Sequence, residues 1–490
     1  MGANSKLAPP QIWSGKIYTG QWQSPNGGTH PILDKAGGEE IGRIGFASAA
    51  DVAHAAGIAS AAQKEWAKLP APARGEALRR FAAAFLDHVD EIAQWLIRET
   101  ASSRLKGRWE AQLASKVVME GAMLTSQPSG VILPTWEAGR QSFAMRIPVG
   151  VVAVITPWNS PLTLACRAIA PALAMGNAVL LKPDPQTPVS GGVVLAALAQ
   201  AAGLPEGLLH ILPGGVETGE ALVCEPRVDM VSFTGSTRAG RRVGALAGEH
   251  GKRVSLELGG NNAYVVLPDA DVTAAAAAGA WGSFFHQGQI CTTTGRHIVH
   301  VSIADAYTSE LAARANKLRM GDPFRSDVDL GPLINEKQAV NVERVVKESV
   351  AAGARVLTGG SRDGLYYPPT ILTNVRPGMP AFDEEIFGPV APIVTFETDE
   401  EAVALANSTH YGLVSSVVSP DLARAGRIAD QLHAGMVHVN DQTVVHEVYG
   451  PVGGVGASGN GWNYGTTVNA DQFTEWQWRT VRTAVPKYPF

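Results

Sequence analysis

The chain has 490 residues, of which 45 % are hydrophobic and 17 % charged, and its formal net charge is -5. That length predicts two or three domains with a large buried core, and the composition excludes global disorder and a basic nucleic-acid footprint. Three scattered cysteines, Cys166, Cys224 and Cys291, exclude a disulfide framework and a paired-cysteine zinc site, so no metal is expected and a reducing, cytoplasmic setting is the default.

The N-terminal stretch MGANSKLAPPQIW has no apolar core of a secretory signal. Apolar windows such as PVGVVAVITPW are far shorter than the roughly 20 residues of a membrane span, so no membrane partner is expected. From about residue 46 to 125, apolar residues recur at three- and four-residue intervals, which predicts helices. RQSFAMRIPVGVVAVITPW then alternates and becomes continuously apolar, as a strand entering a buried sheet would.

Residues 149–260 alternate between short apolar runs and helical patterns. GVVAVITP, NAVLLKP, LLHILPG, VDMVSFTGS and RVSLELGG read as strands, and Gly176 and Gly203 close two of the intervening helices. Strands separated by helices need crossovers, so a parallel sheet covered on both faces is predicted, with ligands beyond the carboxyl ends of its strands. A second such series runs from about 261 to 440, through NAYVVLP, HIVHVSI, PVAPIVTF, GLVSSVVS and GMVHVN. Near the C-terminus DQFTEWQWRTVRTA alternates like a half-exposed strand, which could pair with RQSFAMRI in a small protruding sheet and favour oligomerisation.

Several residues could carry chemistry. Cys291 lies in FFHQGQICTTTGR, on polar, turn-prone sequence where a buried structural thiol is the ordinary reading and a nucleophile the alternative. Glu257, in VSLELGGNN, has apolar neighbours in a buried strand, so it is either paired or a base with a raised pKa. VSFTGSTRAG leads from a strand into a helix whose free N–H groups suit phosphate. Arg241 and Arg242 stand where a nucleotide-triphosphate loop needs Lys and Ser/Thr, which rejects that reading. Lys182 ends a strand and is either solvated or a nucleotide contact, and Asn159 is either a helix cap or an amide donor to an oxyanion. Glu385, in FDEEIFGPV, reads alone as a solvated acidic turn.

The order of TPWNSPL, LLKPDPQTP, FTGST, LELGGNN, GQICTTTGR, EEIFGPV and GPVGGVGASGNG resembles the aldehyde dehydrogenase superfamily from about residue 20 onward. LELGGNNAYVV, CTTTGRH and the ending VPKYPF are most similar to bacterial benzaldehyde dehydrogenases and vanillin-type relatives. The resemblance implies two parallel-sheet α/β domains and a small β oligomerisation arm. Residues 1–125 and 146–256 would form the cofactor-binding domain, 257–450 the catalytic domain, and 126–145 with 466–490 the arm, in a homodimer or homotetramer.

It also implies roles. Cys291 matches the nucleophile, Glu257 the general base, and Asn159 the oxyanion amide, assisted by the Cys291 N–H. Thr156, Pro157, Trp158, Lys182, Gly235, Ser236, Glu385 and Phe387 match the cofactor contacts. Ser160, Leu164, Arg167, Phe285, Thr292, Val445 and His446 are candidates to line the aldehyde tunnel, where Arg167 either recognises a ring hydroxyl or carboxylate or, the reading favoured, is a helix-surface charge. NAD is the cofactor implied; Pro185 occupies the position of the usual ribose-binding glutamate, which leaves NADP open. The implied activity is oxidation of a benzaldehyde-like aldehyde to its acid through a thiohemiacetal and thioester. A vanillin-type or aliphatic aldehyde is the alternative. Glu257 argues against a CoA-acylating relative, no motif pairs His286 with Cys291 as a hydrolase would need, and an inactive member would not be expected to keep both Cys291 and Glu257.

Overall fold

The computed structural model describes residues 7–445, 447–465 and 467–490. Helices Ala49–Lys68, Ala71–Asp87, Val89–Thr100 and Arg104–Met123 occupy the stretch where helical periodicity is predicted. The first opens on a reciprocal cap between Ser48 and Asp51, and the last on Ser103, whose hydroxyl accepts from the Lys106 N–H. Before them lie four short strands between Ile17 and Gly45.

The first seven-stranded sheet runs in the order Arg253–Glu257, Met230–Thr234, Val151–Ile155, Ala178–Lys182, Leu209–Ile211, Ile17–Tyr18, Trp22–Gln23. Its first five strands are parallel, and the last two add in antiparallel fashion. The chain order reverses between Val151–Ile155 and Met230–Thr234, which makes their carboxyl ends the crevice where such sheets bind ligands.

The second seven-stranded sheet runs Arg355–Thr358, Thr370–Thr373, Val390–Phe396, Thr294–His300, Asn262–Val266, Val414–Val418, Met436–Val439. It is parallel apart from the antiparallel edge strand Arg355–Thr358. One large apolar cluster surrounds the first sheet and three smaller ones flank the second. Glu257 ends a strand of the first sheet and Asn262 begins one of the second, so residues 258–261 carry the chain from one sheet to the other.

RQSFAMRIPVGVVAVITPW divides, as the expected arm pairing and buried strand require, into two strands in different sheets. Arg140–Pro148 pairs along its whole length with Thr474–Arg482 and, on its other side, with Gly130–Ile132. Val151–Ile155 belongs to the first seven-stranded sheet. Gly150, at φ 128°, makes the break in a conformation that L side chains disfavour. Among the described residues no helix is long and apolar enough to cross a membrane.

The helix Arg104–Met123 packs directly on the helix Pro161–Ala174. At Gly121 a Cβ would come within 2.7 Å of the Ala170 Cβ and 3.0 Å of its carbonyl carbon. Gly121→Val is therefore expected to push the helices apart and to cost about 1–3 kcal/mol, read as a lower urea midpoint.

Candidate active site

Three connected cavities run along the crevice. The outer one is lined by Thr156, Pro157, Trp158, Lys182, Gly235 and Ser236, and the middle one adds Glu385 and Phe387. The inner one is lined by Asn159, Ser160, Leu164, Arg167, Glu257, Thr292 and Val445. Cys291 and Asn159 line both the middle and the inner cavity, so they stand where the two meet.

Cys291 lies three residues before the strand Thr294–His300, on a loop held from several directions. The Asn262 amide donates to the carbonyls of Cys291 at 2.8 Å and Thr293 at 2.7 Å. The Gln287 amide donates to the carbonyls of Ala101 at 2.8 Å and Pro332 at 3.0 Å. His286 and Gln287 both adopt left-handed backbone conformations, at φ 52° and 55°, which turns the chain sharply ahead of the cysteine. At Gly260 a Cβ would lie 3.0 Å from the Cys291 carbonyl oxygen, and at Gly259 one would collide with Glu385. The paired glycines thus let the strand connection approach both groups.

Burial pushes the Cys291 thiol up to about 12, with the Glu385 and Glu257 carboxylates raising it further and Arg167 and the Thr292 N–H opposing them. Glu257 is also driven well above the ordinary carboxylate range by burial, and Arg167 only partly offsets this. Its Oε1 is buried without a hydrogen-bond partner among the described residues. A carboxylate in that state holds a proton more readily than an exposed one, as a general base must. Glu385 rises to about 7, chiefly from burial, while its Oε1 accepts from the Gly260 N–H at 3.2 Å.

Asn159 is not the cap residue of the helix Pro161–Ala174; Ser160 occupies that position. The Asn159 Nδ2 donates to the Gln289 carbonyl at 2.9 Å, leaving its second N–H for another acceptor. Two residues that the sequence motifs do not mark hold it there. Lys106 and Glu110, both fully buried on the helix Arg104–Met123, form an ion pair. Lys106 Nζ donates to the Asn159 carbonyl at 2.8 Å. Glu110 Oε1 accepts from the N–H groups of Leu162 at 3.1 Å and Thr163 at 3.2 Å, the unpaired amides of the helix start.

The cofactor candidates converge. Lys182 is buried at the end of its strand, with no hydrogen bond from its ammonium group among the described residues, and the Thr156 hydroxyl is likewise buried and unpartnered. Gly235 and Ser236 lead into the helix Thr237–Glu249, whose N-terminus opens on the outer cavity. Donors of this kind fit a nucleotide with a pyrophosphate. Phe387, at φ 54°, turns its ring edge-on to Trp158 at 5.5 Å.

Two tunnel expectations need correction. Phe285 does not line the inner cavity. Its ring stacks on Trp281 at 4.3 Å and lies edge-on to Trp109 at 6.0 Å, and the rings that line the cavity are those of Trp109 and Tyr464. The left-handed turn immediately after Phe285 accounts for the displacement. Arg167 is not a helix-surface charge, since it faces the inner cavity with Glu257 and Cys291. His446 lies outside the described residues. His286 makes no hydrogen bond with Cys291 among the described residues, so no hydrolase dyad forms.

The aldehyde dehydrogenase family model matches residues 22–479, and the chain belongs to the aldehyde dehydrogenase family. It is 48 % identical to a vanillin dehydrogenase of Amycolatopsis sp. over 98 % of each chain. It is 46 % identical to a benzaldehyde dehydrogenase [NAD(+)] of Pseudomonas putida, again over 98 % of each. The crystal structure of betaine aldehyde dehydrogenase from Staphylococcus aureus in complex with NAD+ superposes with a TM-score of 0.95 at 30 % identity, covering 100 % of this chain and 98 % of that one.

Lys106→Met would leave the Glu110 carboxylate buried without its cation, and a loss of about 3–5 kcal/mol is expected in denaturant unfolding. The double variant Lys106→Met/Glu110→Gln should recover part of that stability. It should not recover kcat, because the Asn159 carbonyl still lacks its donor.

Proposed function

We propose that this enzyme oxidises an aromatic aldehyde to the carboxylic acid with NAD(P), through a covalent intermediate on Cys291. The observation that carries the reading is the placement of Cys291 where the cavity lined by Gly235, Ser236 and Glu385 meets an apolar chamber containing Trp109 and a buried Glu257 whose Oε1 has no hydrogen-bond partner among the described residues. The benzaldehyde and vanillin dehydrogenases named above act, by their names, on aromatic aldehydes, and the chamber suits a flat ring.

In this reading the Cys291 thiolate adds to the aldehyde carbon, giving a thiohemiacetal. The free N–H of the Asn159 amide and the Cys291 backbone N–H receive its oxyanion, and removing one such donor costs about 3–4 kcal/mol in comparable sites. The nicotinamide cofactor, when bound, supplies the hydride acceptor. Lys182 would hold its adenosine ribose, Gly235 and Ser236 its pyrophosphate, and Glu385 its nicotinamide ribose, with Phe387 beside the ring. Glu257 then takes a proton from water, which attacks the thioester and releases the acid. Pro185 offers no carboxylate to a ribose hydroxyl, and Asp184 is drawn into a turn by the Gln186 N–H at 2.9 Å, so the reading admits both NAD and NADP.

The division into a cofactor domain, a catalytic domain and an arm follows the three main sheets. The edge strand Thr474–Arg482 exposes Trp476 and Trp478, and we assign this arm to a homodimer or homotetramer contact, which sedimentation of the purified chain would show as a mass of two or four subunits. The three free cysteines fit a reducing cytoplasm.

The decisive experiment follows the reduced-nicotinamide absorbance with NAD or NADP over benzaldehyde, its ring-substituted forms and a short aliphatic aldehyde. Aromatic-selective turnover that vanishes in Cys291→Ala supports the reading, and turnover only on addition of CoA overturns it. Glu257→Gln should still form the thioester, visible as an added acyl mass on the protein, and should fail to release it. Because the Glu257 pKa is raised, its basic form is lost as pH falls through a value above the ordinary 4.5. Release of acid should therefore decline on the acidic side at a correspondingly higher pH.

A further inference from the structure

We propose that Arg167 sets the substrate preference of the inner cavity, by receiving a hydroxyl or other negatively polarised oxygen carried on the ring of the aldehyde, remote from the reacting carbon. This rests on the aldehyde-oxidising reading above and narrows it to ring-oxygenated substrates.

The geometry begins with the helix Pro161–Ala174. Ser160, Leu164 and Arg167 follow one another at spacings of four and three, so they share a helix face, and all three line the inner cavity. At 1.5 Å of rise per residue, Arg167 lies roughly 10 Å further along the axis than Ser160, beside which Asn159 stands. The chamber therefore has a reactive end at Asn159 and Cys291 and a cationic end at Arg167. Trp109, Leu113, Ile290, Met436, Val445 and Val452 supply much of the wall between them, and Arg167 is the one cation among the described lining residues.

The guanidinium has no hydrogen bond and no ion pair among the described residues. A fully buried arginine shows what this fold does when the role is structural: Arg296, 2 % exposed, donates to the carbonyls of Asn261, Leu405 and Ala406, whereas Arg167 is only partly buried. Arg167 has no such set. Nor is it the ion-pair partner of Glu257, whose Oε1 is unpartnered, or of Glu120, which shares the adjoining pocket with it and whose Oε2 is unpartnered too. A bare ring that displaces water from this chamber would leave the guanidinium without an acceptor, whereas a ring oxygen supplies one. Sites built around such a bond discriminate strongly against analogues that lack it. Identities of 48 % to a vanillin dehydrogenase and 46 % to a benzaldehyde dehydrogenase do not separate the two preferences.

The test compares kcat/KM for 3- and 4-hydroxybenzaldehyde with that for the methyl-substituted aldehydes of the same shape, in the native enzyme, Arg167→Met and Arg167→Lys. The native enzyme should favour at least one hydroxylated aldehyde about 10-fold or more. Arg167→Met should collapse that ratio toward one, and Arg167→Lys should restore part of it. An equal loss for hydroxylated and methylated substrates would mean that Arg167 acts on Cys291 or Glu257 and would overturn the proposal, as would an unaltered ratio. Tryptophan fluorescence with 4-hydroxybenzyl alcohol and 4-methylbenzyl alcohol reads binding without turnover, since Trp109 lines the chamber. If no aldehyde is oxidised, the functional reading fails. The Arg167 assignment then stands or falls on whether Arg167→Met removes tighter binding of the hydroxylated alcohol.

Discussion

The site depends on one buried ion pair. Lys106 and Glu110 are one helical turn apart and fully excluded from water, and together they reach three backbone groups at the start of the neighbouring helix. Burial pulls the Lys106 pKa down and Glu110 opposes the shift, so the charged pair persists because each member needs the other. An apolar pair of equal volume could fill the space, and replacements of that kind are often neutral for stability. It could not grip the Asn159 carbonyl and the first amides of the helix at once. The pair thus fixes a helix terminus in register with a second element, which packing alone defines only loosely.

From that anchor the remaining geometry follows. The Asn159 side chain reaches the Gln289 carbonyl, and Gln289 Oε1 accepts in turn from the Ile334 N–H at 3.0 Å, so the oxyanion candidate, the cysteine loop and the segment that leads into the helix Glu336–Ala351 are joined in one chain of contacts. The opposite wall is set by residues 258–261, where Gly259 and Gly260 allow Glu385 and the Cys291 carbonyl to come close. Cys291 therefore belongs to neither sheet's core. It sits between the carboxyl edge of one sheet and the amino edge of the other, where a cofactor and a substrate can enter from different cavities.

What could be read from the sequence follows from this arrangement. Both parallel sheets were legible because their strands are short apolar runs separated by helices, and the arm because Thr474–Arg482 alternates. The strands Arg355–Thr358 and Thr370–Thr373 were not, the first being an exposed edge with no apolar run to mark it and the second only four residues long with two apolar ones. Cys291, Glu257 and Asn159 stand in ordered motifs, so the resemblance marked them. Lys106 and Glu110 sit inside an ordinary helical stretch, where a lysine four residues before a glutamate reads as a surface pair. Only the helix packed against them shows that water is absent. Arg167 lines the cavity as its place in the tunnel set implies, while the surface reading of its charge and the placement of Phe285 fail for a related reason: sequence distance from the cysteine does not say which way a ring points after a left-handed turn, or which face of a helix is covered.

The electrostatics of the chamber explain why its charges must be few and separated. Burial disfavours the ionised forms of Cys291, Glu257 and Glu385 alike, and each carboxylate makes the thiolate harder to form. Arg167 is the charge that works in the other direction on both Cys291 and Glu257, without forming an ion pair with either. A tight Arg167–Glu257 bridge would stabilise the carboxylate, lower its basicity and weaken the step that needs a proton acceptor. Holding the guanidinium away from the carboxylate keeps the Glu257 pKa raised, and it leaves the Arg167 guanidinium at the cavity wall without a hydrogen-bond partner among the described residues. The same separation that preserves the base is what makes the arginine available for recognition.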